Sequence, residues 1–170
     1  MAAVRVAPVP LLRGTIQVPS DKSLTHRALM LAAVSDRDVR IGRPLESEDT
    51  AATLGAVEAC GAAAEGRLGE AITVSGRGLR GLRPPPAIDC ANAGTLMRLF
   101  AGLLVGQPTD QVVLDGDASL RTRPMTRIAR PLRAMGAEVF TAPGGTPPIV
   151  VTGRARLAGA DRRQFDEEAG

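Results

Sequence analysis

The chain has 170 residues, a net charge of +3, and a composition that is 44% hydrophobic but only 2% aromatic, with three Phe and neither Trp nor Tyr. That length and balance belong to a folded globular protein of one sizeable domain or two small ones. A surface that stacks single-stranded bases on aromatic rings is excluded, and no basic block reads as an arm or recognition helix, so nucleic acid is not an expected partner. The core must be built from Ala, Val, Leu, Ile and Met, which favours layered α/β packing.

Cys60 and Cys90 form no metal pattern and no CxxC, and both sit in apolar surroundings. They read as buried free thiols of a reducing compartment. No apolar run approaches the length of a membrane span or a signal core, so a soluble, cytoplasmic protein without membrane contact is expected.

In chain order, "GTIQVPS" reads as a strand, "LTHRALMLAAVS" as a helix and "RDVRIGRPL" as a strand with alternating Val39 and Ile41. "EDTAATLGAVEACG" follows as a helix with Leu54, Val57 and Cys60 on one face and Gly61 as its stop. "AAAEG" and "EAITVSG" complete the run as a strand pair. The pattern then restarts. "PAIDC" is a strand; "NAGTLMRLFAGLLVG" is a helix with Leu96, Leu99, Phe100, Leu103 and Leu104 inward; "DQVVLDG" is a strand. "PMTRIARPLRAMG" is a helix with Met125, Ile128, Leu132 and Met135 inside, Arg127, Arg130 and Arg133 outside, Pro124 in its first turn and Pro131 as a kink. "AEVFTA" and "PPIVVTG" close the second copy. Two βαβαββ units are therefore expected, over residues of about 12–80 and 85–157, with helices packed inward and sheets outside. Residues 158–170 form a polar tail with no assigned structure.

Three helix starts carry basic groups. In "PSDKSLTHR", residues 19–27, Lys22, Ser23 and Arg27 surround the amides of a helix N-terminus. Such amides lack partners and hold the positive end of the helix dipole, so the set can cradle a phosphate or carboxylate. It is equally a Ser/Thr-capped helix with solvated basic residues. In "DCANAGTLMR", Asn92 is a natural N-cap, Ala93, Gly94 and Thr95 are small enough for a ligand to reach the backbone, and Arg98 lies a turn in. The same residues suit a tight helix start packed on a neighbour. In "LRTRP", Arg121 and Arg123 oppose the dipole of the helix that follows. A bound anion would compensate; a basic loop is the alternative. Asp49 reads as the N-cap of its helix, or as a group orienting a basic neighbour.

"LRGTIQVPSDKSLTHRALMLAA", "NAGTLMR" and "GDASLRTRP", in this order and spacing, resemble the 5-enolpyruvylshikimate-3-phosphate synthases, the 3-phosphoshikimate 1-carboxyvinyltransferases of the shikimate pathway. The resemblance covers residues from about 12 to 157. It implies the enolpyruvyl transferase inside-out barrel of βαβαββ units, and transfer of the enolpyruvyl group from phosphoenolpyruvate to shikimate 3-phosphate, toward chorismate and the aromatic amino acids. No metal or organic cofactor is implied, and glyphosate competes at the phosphoenolpyruvate position. By motif, Lys22 would lie at the reacting centre and bind phosphoenolpyruvate. Ser23 and Arg27 would hold shikimate 3-phosphate. Asn92, Ala93, Gly94 and Thr95 would border the phosphoenolpyruvate phosphate, and Arg123 would grip that cosubstrate, with Asp49, Arg98 and Arg121 in support. Where the family often has Gly, this chain has Ala91. Two units of the implied six are present, so the remainder of such an enzyme is an expected partner and the chain alone is expected to be inactive. A non-catalytic anion-binding or assembly module on the same fold is the alternative. The related UDP-N-acetylglucosamine carboxyvinyltransferases lack this Lys-Ser turn.

Overall fold

The structure, a computed structural model, describes residues 7–8, 10–11, 13–153 and 157–159. The elements run α1 (Lys22–Ala33), β1 (Asp38–Gly42), α2 (Glu48–Ala59), β2 (Ala63–Arg67), β3 (Ala71–Ser75), β4 (Ala87–Asp89), α3 (Gly94–Leu104), β5 (Gln111–Asp115), a 3-10 turn (Leu120–Thr122), α4 (Thr126–Ala134), β6 (Glu138–Ala142) and β7 (Thr146–Thr152). The class is mixed α/β. Of the expected polar tail, only Ala158 and Gly159 lie within the described residues.

The two sheets share one plan. The first has the order β1-β3-β2, all antiparallel, and the second has β4-β5-β7-β6 with β4 parallel to β5. Strands β5-β7-β6 repeat β1-β3-β2 down to register: Ser75 pairs with Asp38 and Ala63, as Thr152 pairs with Gln111 and Glu138. The helix stops repeat too. Gly61 and Gly136, both left-handed, follow α2 and α4. After α2, Gly61 N–H donates to Glu58 C=O and Ala62 N–H to Val57 C=O; after α4, Gly136 N–H donates to Arg133 C=O and Ala137 N–H to Leu132 C=O. That is the same Schellman closure twice, and only glycine takes the required φ without strain.

The first expected strand is absent. Residues 14–20 form no strand pairing with any described residue, and Ile16 and Val18 are 84% and 63% exposed. Alternating apolar residues supply a face, but a strand also needs a ladder partner for its N–H and C=O groups. Among the described residues the outer edge of β1 takes no strand, whereas β5 carries β4 there. The segment is tied at its end, where Ser20 Oγ donates to Arg43 C=O at 2.5 Å.

Helices α1, α2 and α3 touch one another, and α3 touches α4. Leu29, Ala33, Val57, Cys60, Leu96, Met97, Phe100 and Leu104 meet Val74, Leu114, Ile149 and Val151 in one continuous core. Leu99 lies off this stripe and is exposed. Met125 is buried but precedes α4 as its N-cap residue, so Pro124 stands outside the helix rather than in its first turn. Pro131 sits within α4, which runs on past it, Met135 N–H donating to the Pro131 carbonyl. Arg133 is exposed yet fixed, its Nε donating to Val139 C=O at 2.6 Å. Cys60 and Cys90 are free and buried, and burial pushes both thiols up to about 12, so they stay protonated.

One core across both sheets implies one unfolding event. Phe100→Ala is expected to cost about 3–5 kcal/mol. In calorimetry this should lower a single transition for the whole chain. Two transitions, only one of them shifted, would show that the two halves fold separately.

Candidate functional site

Two sets of side chains gather at helix starts. The first surrounds α1. Asp21, not a Ser or Thr, caps this helix, its Oδ1 accepting from Leu24 N–H at 2.7 Å. Lys22 follows, and its Nζ donates to Asp49 Oδ2 at 2.6 Å. Asp49 is therefore not the N-cap of α2. Ser47 is, in a capping box with Thr50, which frees the Asp49 carboxylate in the first turn to hold Lys22. Both groups remain partly solvated, so the pair adds little stability and chiefly fixes where the ammonium points. Ser23 is exposed, and its carbonyl accepts from Arg27 Nε at 3.1 Å, laying the guanidinium along the first turn.

Beneath this set lies a polar chain that spacing does not reveal. Thr53 Oγ1 donates to the Asp49 carbonyl at 3.3 Å and lies 2.6 Å from His26 Nδ1. If the Thr53 proton goes to Asp49, Thr53 accepts from Nδ1–H of His26. The His26 Nε2 is buried without a hydrogen-bond partner among the described residues. Burial lowers the His26 pKa; Asp49 pulls it up and Lys22 pushes it down, but desolvation dominates.

The second set surrounds α3. The expected cap Asn92 is not the N-cap. Ala93 holds that place with no side-chain bond, leaving the first-turn amides without a cap. Asn92 instead bridges two loops: its Nδ2 donates to Asp117 Oδ2 at 2.7 Å, and its Oδ1 accepts from Arg123. Asp117 Oδ1 also accepts from Leu120 N–H at 2.7 Å, which starts the 3-10 turn that delivers Arg123. The Asn92 bond, then the Leu120 amide and the Arg123 charge, hold the Asp117 carboxyl below its usual range. Arg98, a turn into α3, reaches the Pro124 carbonyl at 3.4 Å. Both arginines close on Gly94: a Cβ built there would stand 2.7 Å from Arg98 Nη1 and 3.0 Å from Arg123 Nη1. Thr95 follows in the uncapped first turn.

Arg121 is held elsewhere. Its Nε and Nη2 form a bidentate pair with Asp115 at 2.9 and 2.6 Å, which lowers the Asp115 pKa. Ala91 has φ +49°, left-handed backbone that costs an L-residue about 1–2 kcal/mol and favours glycine. This kink lets the Ala91 carbonyl accept from Asp117 N–H at 2.9 Å. Among the described residues, no hydrogen bond or ion pair joins the Lys22 set to the Arg98–Arg123 set; they are linked through the contact of α1 with α3.

Asp117 was not singled out from the sequence, and the buried role of His26 was not read from it. Asp117 carried a signal, since Asp three residues before the first amide of a turn is a capping spacing. His26 carried none, because its role depends on a partner 27 positions away.

The EPSP synthase family, 3-phosphoshikimate 1-carboxyvinyltransferase, matches residues 6–164. The chain belongs to this family. It is 50% identical over 158 residues to the 3-phosphoshikimate 1-carboxyvinyltransferase of Halorhodospira halophila, covering 92% of this chain and 35% of that protein. With the Thermus thermophilus enzyme it shares 49% over 154 residues, 90% of this chain and 36% of the relative. The solved EPSP synthase of Acinetobacter baumannii superposes with a TM-score of 0.80 at 43% identity, over 86% of this chain and 33% of that one. The chain thus spans about a third of the length of the EPSP synthases it matches. Among the described residues, no helix is long and apolar enough to cross a membrane.

Two outcomes follow from this geometry. The His26 pKa is lower folded than in the unfolded chain, where it is near 6.5, so its contribution is complete above pH 6.5 and is lost as pH falls toward the folded value. The melting temperature should drop from pH 7.5 to 5.5, and His26→Asn should flatten that drop; an equally steep drop in the variant would assign it to other groups. Gly94→Ala inserts a methyl against two flexible guanidinium ends, and alanine is the better helix former. Its melting temperature should stay close to wild type while phosphate affinity falls; a large loss of stability would show that Gly94 serves packing instead.

Proposed function

We propose that this chain supplies part of an anion-binding site for the enolpyruvyl transfer carried out by the family, from phosphoenolpyruvate to shikimate 3-phosphate. The observation that carries the reading is the convergence of Arg98 and Arg123 on Gly94 at a helix start with no side-chain cap. Two guanidiniums and the positive helix end there concentrate positive charge that an anion would complement. The phosphoenolpyruvate phosphate is assigned to this position, bordered by Asn92, Ala93, Gly94 and Thr95 and gripped by Arg123. Lys22, aimed by Asp49, is assigned to the reacting centre, with Ser23 and Arg27 toward shikimate 3-phosphate. The reaction adds a hydroxyl to the enol carbon and then expels phosphate, so a fixed cationic clamp stabilises charge that grows in the tetrahedral intermediate.

The same reading withholds turnover from the chain alone. Protonating the methylene carbon and removing the proton again require placed acid–base groups. The Asp49 carboxylate is engaged with Lys22, and Asp89 Oδ1 accepts from Ala91 N–H at 2.8 Å. The rest of the clamp is assigned to the two thirds of the family's length that this chain does not span. An open, wet site screens each contact, so binding is weak.

Calorimetric titration with phosphoenolpyruvate should give a Kd weaker than about 0.1 mM, and Arg123→Ala should weaken it further by about tenfold, the worth of one charge-assisted bond. With both substrates present, no phosphate should be released. Release that disappears in Lys22→Ala would contradict the division of the site; binding unchanged in Arg123→Ala would contradict the site itself.

A further inference from the structure

The loop after β5 treats its two arginines differently. Arg121 pairs directly with Asp115, at 2.9 and 2.6 Å, so its charge is neutralised by a carboxylate. Arg123 meets an amide instead, donating to Asn92 Oδ1. Among the described residues, no ion pair joins Arg123 to Asp117, the carboxylate behind that amide.

An amide can face either way, and Asp117 decides which way Asn92 faces. An ionised carboxylate only accepts, so Asp117 Oδ2 takes Asn92 Nδ2 at 2.7 Å and leaves Oδ1 for Arg123. Asp117 is itself fixed at three further points. Its N–H donates to the Ala91 carbonyl at 2.9 Å, its carbonyl accepts from Arg121 N–H at 3.0 Å, and its Oδ1 accepts from Leu120 N–H at 2.7 Å. One carboxylate oxygen thus starts the turn that carries Arg123, and the other orients the amide that holds it.

We propose that Asp117 is a positioning residue for anion binding at the start of α3: it turns the Asn92 oxygen toward Arg123, and the intervening amide places the guanidinium without neutralising it. The inference rests on the reading of this helix start as the phosphate position. Asp117 acts through Asn92 and does not touch the anion.

The sign of one substitution tests this. Removing a negative charge beside an anion site should by itself strengthen anion binding. Asp117→Asn leaves one oxygen where two donors each hold one, so Asn92 loses its orientation and Arg123 its acceptor. Titration of the chain with phosphoenolpyruvate, followed by NMR, should therefore show affinity lowered by about threefold or more, the worth of one hydrogen bond. Asp117 is exposed, and the melting temperature should stay close to wild type. In an Arg123→Ala background the same substitution should bring no further loss. In the ligand-free protein, the Arg123 guanidinium protons should exchange slowly in wild type and fast in Asp117→Asn. Affinity that is unchanged or raised in Asp117→Asn would overturn the proposal, as would an equal loss in the Arg123→Ala background. Binding indifferent to Arg123→Ala would instead refute the anion site, and the ligand-free exchange rates would still decide whether Asp117 holds Arg123: equal rates in wild type and Asp117→Asn would show that it does not.

Discussion

The α-carbon of Gly94 is where the second half of the molecule is organised. Two guanidiniums approach it, and no other residue leaves room for both without displacing one. Like charges beside the positive end of a helix do not assemble unaided. Neutral and acidic groups around them make the arrangement stable: Asn92 and Ser119 on Arg123, the Pro124 carbonyl on Arg98, and Asp117 one bond further out through Asn92. That scaffold requires the left-handed kink at Ala91, whose carbonyl fastens the Asp117 loop. It also requires β4 and β5 to lie side by side, because they carry Asn92 and Asp117 into reach of one another. The kink explains why glycine suits position 91, and the methyl of Ala91 is the strain this chain carries there.

The first half meets the same demand with different chemistry. Lys22 is aimed by a carboxylate on the neighbouring helix, and the helix pair is registered by the buried His26–Thr53 contact. Residues on two helices, 27 positions apart, act as one unit in both cases, Lys22 with Asp49 and His26 with Thr53. The basic groups sit on helix starts because these are the ends of the inner helices not consumed by the core, which takes up Leu29, Val57 and Phe100 further along.

Most of the fold was legible in the sequence. The helix stripes and the glycine stops are local, and the strand pairs follow from alternation between turns. The main failures were matters of partnership. "GTIQVPS" has strand alternation, but pairing depends on a neighbour that no local pattern reports, and among the described residues it stays unpaired and exposed. Asn92 has the chemistry of a cap, but it bridges Asp117 and Arg123 instead. Asp49 lost the capping role to Ser47 two residues earlier, which made it available to Lys22. Arg121 and Arg123 looked equivalent in "LRTRP"; the 3-10 turn sends one to Asp115 and the other to Gly94. The family motifs located both basic sets, while their internal wiring needed three dimensions.

The most direct measurement is an amide and arginine side-chain NMR titration with phosphoenolpyruvate, with resonances assigned along α1 and α3. If an anion completes the charge at Gly94, the largest shifts should fall on the amides of Gly94 and Thr95 and on Nε of Arg98 and Arg123, and Gly94→Ala should abolish them. Shifts scattered over exposed arginines such as Arg127, or none at all at Gly94 under saturating ligand, would contradict an anion site at the start of α3.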